Sequence, residues 1–270
     1  SGVSNDKDII TLKKSGAAAM LIGTALMEAE SPGKIAALWK NAYNRADESV
    51  SDIKVNKKVT ASEIKICGIT SVQEIDYLAE NKVDYCGMVL FYEKSRRNIT
   101  IEKAKEFIAY IKAIKSDIKT VAVTVSPDKE ELQLIEEAGF DYIQIHGELS
   151  DDVYNACSVG VIRAVNIKHQ SEEDIYLETK RWRSLDKIYG LLFDAGVPGS
   201  GKPFDWESLK KADCGNKKLF LAGGLTPDNV KAAIEAVKPD VVDISSGVEY
   251  DDLSIKGKDE NKVKTFIQNA

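Results

Sequence analysis

The stretch from Asp84 to Val125 reads DYCGMVLFYEKSRRNITIEKAKEFIAYIKAIKSDIKTVAVTV. Two short runs rich in apolar and β-branched residues, 84–91 and 118–125, stand at its ends and have the length and composition of buried strands. Between them, in 101–115, Ile101, Ala104, Phe107, Ile108 and Ile111 recur three and four apart, as one buried helix face demands. Strand, helix and strand in that order make a crossover unit, and such units lay their strands parallel.

The alternation extends in both directions. Further strands are expected at EIKIC (63–67), DYIQI (141–145), VIRAV (161–165), IYGLLFD (188–194), KKLFLA (217–222) and DVVDIS (240–245), making eight in all. VQEIDYLAENK (72–82) repeats the helical spacing, and Ser126-Pro127-Asp128 and Thr226-Pro227-Asp228 offer hydroxyl caps with proline at the first turn. Eight strands alternating with helices predict an α/β protein of the (β/α)8 TIM-barrel class. Such barrels keep their chemistry in the loops after the strands' C-terminal ends. Cys67, Arg97, His146, Asp194, Gly223-Gly224 and Ser245-Ser246-Gly247 all fall at or just after such ends, whereas Cys86 lies inside a strand and Cys157 and Cys214 on or near helices.

The chain has 270 residues, 43% of them apolar and 30% charged, enough for one barrel core with a segment left over. Lysine and arginine total 37 against 43 acidic residues, a net charge of −6 with no basic stripe, which argues against nucleic acid as a partner. No apolar run approaches the roughly 20 residues of a membrane span, and SGVSNDKDII has neither the basic nor the apolar region of a signal peptide, so a cytoplasmic protein is expected. The four cysteines show no CxxC pairing and are expected reduced. With His146 and His169 as the only histidines, no metal site is expected, and a metal-dependent phosphosugar epimerase is a poor rival. The first residue is Ser rather than Met, which is the mark of a processed product or of a piece of something longer.

A thiol at Cys67 and a carboxylic acid at Asp194, across one barrel mouth, supply a base and an acid without a cofactor. A nearby cation or helix dipole is then needed to make the thiolate accessible. The ordered motifs KICGIT, KSRRNI, IQIHG, LLFDAG, GSGKPFDW, LAGGLTPDNV and VVDISSGVE, over residues 63 to about 269, resemble phosphoribosylanthranilate isomerase, a tryptophan-pathway enzyme that performs an Amadori rearrangement. The resemblance implies Cys67 as general base and Asp194 as general acid. It implies Arg97 at the anthranilate end of the substrate, His146 lining the same pocket and Asp243 shaping the mouth. Gly223, Gly224, Ser245, Ser246 and Gly247 would hold the phosphate through their backbone N–H groups. GVPGSGKPFDW (196–206) would be a mobile loop over the site, and no cofactor is implied.

Residues 1–40 resemble the last part of indole-glycerol-phosphate synthase, which precedes the isomerase in bifunctional fusions. The resemblance implies a synthase remnant at 1–45, a polar linker at 46–62 and the isomerase barrel at 63–270, so that the chain is a partial-barrel extension followed by a whole barrel. The synthase's catalytic lysines and glutamates lie on strands this chain lacks, so no synthase activity is expected.

Each motif has a plainer reading. A lone Cys67 is a core filler, a lone Asp194 a solvated cap, a lone His146 a hydrogen-bonded wall residue, and Gly223-Gly224 a tight turn. GSGK fails the nucleotide-loop spacing at Pro203, so ATP binding is not expected. Thr124 stands where the family carries a bulky apolar residue, and is expected to loosen or polarise the pocket wall. The rival from another class is a catalytically silent phosphate-binding or scaffold barrel that supports a synthase partner.

Overall fold

In strand β1, Glu63–Cys67, successive side chains point to opposite faces. Ile64 and Ile66 enter the apolar shell beneath the helices, while Lys65 and Cys67 turn into the barrel. The computed structural model describes residues 62–167, 172–194, 206, 209 and 212–270. The expected synthase remnant at 1–45, the linker up to residue 61, His169 and the 196–206 loop other than Trp206 lie outside the described residues.

All eight expected strands are present and close into a parallel barrel in sequence order. After β1 come α1 (Val72–Glu80), β2 (Tyr85–Val89), α2 (Ile101–Ala113), β3 (Lys119–Val125), α3 (Lys129–Ala138), β4 (Tyr142–His146), α4 (Asp151–Ala156) and β5 (Gly160–Asn166). The order continues with α5 (Glu172–Arg183), β6 (Ile188–Asp194), β7 (Lys218–Ala222), α6 (Val230–Val237), β8 (Val241–Ile244), a 3-10 turn (Ser246–Val248) and α7 (Glu260–Asn269). Closure sets β1 between β2 and β8, with Lys65 in register with Asp243 and Cys67 in register with Gly87.

Two apolar layers result. The outer one packs helices on strands through residues such as Ile75, Leu78, Phe107, Ile111 and Phe266. The inner one is built from Tyr85, Val121, Val123, Ile162, Leu192, Phe220 and Val241, in the interior layering of a filled barrel. Thr124 is buried in the outer layer, its hydroxyl 3.4 Å from the Gln144 carbonyl, and Val123 faces the mouth instead. The expected effect of Thr124 on the pocket wall is therefore corrected: the period-two alternation of β3 turns it away.

The Ser126 cap is corrected as well. The N-cap of α3 is Asp128, in a capping box with Glu131, whereas Ser126 Oγ accepts from the Glu148 backbone N–H at 2.8 Å. Before α6 the expectation holds: Thr226 Oγ1 accepts from the Asn229 N–H at 3.3 Å, and Asn229 Oδ1 accepts in return from the Thr226 N–H at 2.8 Å. In α1 the capping box Ser71/Glu74 also carries a tertiary contact. Glu74 Oε1 accepts from the Lys258 backbone N–H at 2.6 Å and so ties the loop before α7 to the mouth.

Candidate active site

Cys67 ends β1, His146 ends β4 and Asp194 ends β6, so three strand termini bring three titratable groups to one rim. They line a cleft of about 190 Å3 together with Arg97, Gln144, Asp243, Gly223, Gly224, Ser245 and Ser246. Every sequence-predicted site residue except Gly247 is among those that line it. A Cβ at Gly247 would collide with the Leu225 carbonyl, so this glycine permits the loop after β8 to pack on the loop after β7. Gly223 and Gly224 both have positive φ, +84° and +67°, and their backbone conformation is one that side chains resist.

Cys67 is half-buried, and burial pushes its thiol up because a thiolate loses its water there. Lys65, Lys258 and Arg97 pull the other way, while Asp243 adds to the rise. The Lys65 side chain is fully buried, with Nζ 2.8 Å from Asp243 Oδ2. Burial works against its charge, but Asp243 and then Cys67 outweigh it, so the ammonium is held above the ordinary lysine range. The second Asp243 oxygen, Oδ1, is buried without a protein partner, as is Gln144 Oε1. Leaving such an acceptor unpaired costs about 1–3 kcal/mol, a cost that a ligand hydroxyl removes.

Arg97 leaves the loop after β2 and forks onto Glu249, with Nε 2.5 Å from Oε1 and Nη2 3.1 Å from Oε2. Buried Lys258 meets the same Glu249 Oε1 at 3.1 Å. Burial raises the Glu249 carboxyl, but the Arg97 hydrogen bond and Lys258 overcome it and hold the group below its ordinary value. Arg96, the neighbour, points away and donates to the Ile255 carbonyl at 3.1 Å, which separates the two arginines of KSRRNI. Gly68 has φ +83°, and a Cβ there would collide with Arg97 Cδ, so the glycine after Cys67 is what lets the arginine cross the backbone.

His146 Nε2 and the Gln144 amide share a hydrogen bond of 2.8 Å. Burial lowers its pKa and Lys65 and Arg163 add to this, with Asp194 opposing, so the ring is neutral near pH 7. Lys65, Gln144, Glu249, Lys258 and Gly87 are the members of the site that sequence reading missed. Lys65 and Gln144 carried a signal: each is a polar residue inside an otherwise apolar strand of a parallel barrel, two positions before a rim residue on the same face.

A family profile described as N-(5'phosphoribosyl)anthranilate (PRA) isomerase matches residues 64–269. The N-(5'-phosphoribosyl)anthranilate isomerase of Streptococcus mutans is 38% identical over 210 residues, covering 77% of this chain and 98% of that protein. The protein of the same name from Aquifex aeolicus is 38% identical over 213 residues, 77% of this chain and 98% of its own. The crystal structure of phosphoribosyl anthranilate isomerase from Thermotoga maritima superposes with a TM-score of 0.65 at 31% identity, covering 77% of this chain and 98% of that one. A further structure, of the isomerase in complex with reduced 1-(o-carboxyphenylamino)-1-deoxyribulose 5-phosphate, gives a TM-score of 0.62 at 29% identity over 77% of this chain and 97% of that one.

Proposed function

The chain belongs to the phosphoribosylanthranilate isomerase family, and from that premise we propose how its own residues perform the rearrangement. The reaction is the Amadori rearrangement of N-(5-phosphoribosyl)anthranilate to 1-(2-carboxyphenylamino)-1-deoxyribulose 5-phosphate, a step of tryptophan biosynthesis. The observation that carries the assignment of roles is the placement of Cys67 and Asp194 on one cleft of about 190 Å3.

Asp194 donates a proton to the furanose ring oxygen. The C1–O4 bond breaks as the anilino nitrogen lone pair forms C1=N, leaving an open-chain iminium and a free hydroxyl. The Cys67 thiolate then takes the C2 proton, the C–H electrons become the C1=C2 bond, and the C1=N π pair returns to nitrogen to give a neutral enolamine. Movement of the C2 hydroxyl proton to C1 completes the amino-ketose. Arg97 recognises the anthranilate carboxylate with the guanidinium N–H groups that Glu249 does not use. Neutral His146 lines the aromatic end. The phosphate lies on the backbone of Gly223, Gly224, Ser245, Ser246 and Gly247, and Asp243 Oδ1 and Gln144 Oε1 accept from ribose hydroxyls.

The test is the decay of anthranilate-type fluorescence when the purified chain meets freshly generated substrate. Cys67→Ala and Asp194→Asn are each expected to lose about 10³-fold or more in kcat with circular dichroism unchanged. An Asp194→Asn protein of undiminished rate removes that acid assignment.

The resemblance of residues 1–40 to the end of indole-glycerol-phosphate synthase supports a second part of this reading: residues 1–45 are a synthase remnant joined to the barrel by 46–62, as in a bifunctional chain. Blotting cells of the source organism with an antibody to the barrel tests it, a band no larger than the isomerase alone being the contrary result. We place the enzyme in the cytoplasm, on the free state of Cys67, Cys86, Cys157 and Cys214. Among the described residues, no helix is long and apolar enough to cross a membrane.

A further inference from the structure

A fully buried lysine in the interior of a barrel strand is costly unless something there needs its charge. Lys65 is such a residue, and it sits two positions before Cys67 on the same inward face of β1. Closure of the barrel puts Asp243 of β8 directly beside it in register, with the ammonium clamped at 2.8 Å. On the other side, β2 places Gly87 in register with Cys67. A Cβ on Gly87 would stand 3.0 Å from Cys67 Sγ and 3.2 Å from Lys65 Nζ, so the absence of a side chain there leaves sulfur and ammonium bordering the same small space.

We propose that Lys65 is the positioning residue of the catalytic sulfur: clamped by Asp243 beneath the mouth, its ammonium lies against Cys67, favours the charged form the reaction needs and keeps it aimed at the substrate. The inference rests on the reading of Cys67 as general base and extends it. The pair divides two tasks. Asp243 spends Oδ2 on the lysine and keeps Oδ1 for the ligand, while the lysine offsets part of the desolvation that pushes the thiol up. The Asp243 clamp explains why the ammonium does not retreat toward the protein floor. Its single strong partner leaves the remaining N–H groups for the sulfur.

Alkylation of Cys67 by iodoacetamide as a function of pH tests this in the substrate-free full chain, with peptide mass spectrometry separating Cys67 from the other cysteines. The other titratable groups around the pair are Asp243, Arg97, Lys258, Asp194, His146 and Cys86, and all but Asp243 stay in place throughout. The variant Lys65→Met/Asp243→Asn removes both charges and so avoids an orphaned buried ion. It is expected to move the alkylation midpoint upward by about one pH unit or more, and to lower kcat at pH 7 by about tenfold relative to Asp243→Asn alone, with part of that loss recovered at higher pH. Asp243→Asn alone is expected to move the midpoint downward, because it removes a carboxylate and keeps the lysine. A residue that served folding alone would not give shifts of opposite sign.

Gly87→Ala keeps every charge and pushes a methyl into the space that sulfur and ammonium share, so it decides the question if the double variant does not fold. It is expected to raise the midpoint and reduce kcat more than it raises KM. Unchanged midpoints in the folded variants overturn the inference. Retained turnover in Cys67→Ala overturns instead the reading on which it rests, whereas an inactive Cys67→Ala beside an unshifted double variant overturns the role of Lys65 alone.

Discussion

The two ends of the barrel are made from the same strands and are built to opposite ends. At the floor, Tyr85 donates to Glu63 at 2.8 Å, lies 2.9 Å from the Tyr189 hydroxyl and stacks edge-on with Phe220 at 5.7 Å. Lys218 joins Glu63, Lys119 lies 4.8 Å over the Tyr85 ring, and Tyr142 packs on Tyr189 at 4.3 Å. Each polar tip of that layer has a partner. At the mouth the corresponding positions are Cys67, Gln144, Asp194 and Asp243, and two buried oxygens, Gln144 Oε1 and Asp243 Oδ1, have none. A satisfied layer holds the barrel together, and an unsatisfied one is completed by what binds there.

That contrast can be broken by substitutions that carry unequal costs. The largest is expected at the floor: Tyr85→Ala empties a fully buried aromatic site and should cost about 4 kcal/mol of stability, read by urea unfolding, while kcat per folded molecule stays within about twofold. A large loss of kcat in the folded variant would end the separation of the two ends. At the mouth, Arg97→Met should lower kcat/KM by about 100-fold, mostly through KM, because a bidentate carboxylate contact is lost.

Gln144→Leu sharpens the comparison further. It removes an oxygen that nothing in the protein satisfies together with the 2.8 Å hydrogen bond to His146, so a roughly tenfold fall in kcat/KM should come with only a small change in Tm, the two stability effects opposing each other. A Tm lowered by many degrees would assign Gln144 to the fold.

The smallest effect concerns acid. The Glu249 carboxyl is held below its ordinary value of 4.5 against the pull of burial, by Arg97 and Lys258. The folded state thus binds fewer protons there than the unfolded one. The stability this contributes is present above pH 4.5 and is lost as pH falls through the depressed value. Glu249→Gln should flatten that part of the acid limb of a stability-against-pH curve, and an unaltered limb would show that the Arg97–Glu249 pair contributes nothing to it.

Much of this molecule was legible in its sequence, and unevenly so. The eight strands were found because a parallel barrel buries both strand faces and writes itself as apolar runs between helical periods. Cys67, His146 and Asp194 were found because they end such runs. Thr124 was misplaced because a run of VAVTV has no alternation that says which face is inward, and only pairing with β4 supplies it. Ser126 was misread as a cap because Asp128, two residues on, competes for the same orphan N–H groups and wins with a capping box.

By itself the sequence determined the period of the elements, the strand ends and hence the set of groups available to the mouth. These are local matters, decided by spacing within a few residues. The tertiary structure alone decided which groups meet. Lys65 reaches Asp243 across 178 positions of sequence and Arg97 reaches Glu249 across 152, and neither pairing is written in any local pattern. Both exist because β8 must hydrogen-bond to β1 for the barrel to have no open edge, and that closure lays β8 and the loop after it against β1 at the depth where a buried ammonium and a thiol need a carboxylate beside them.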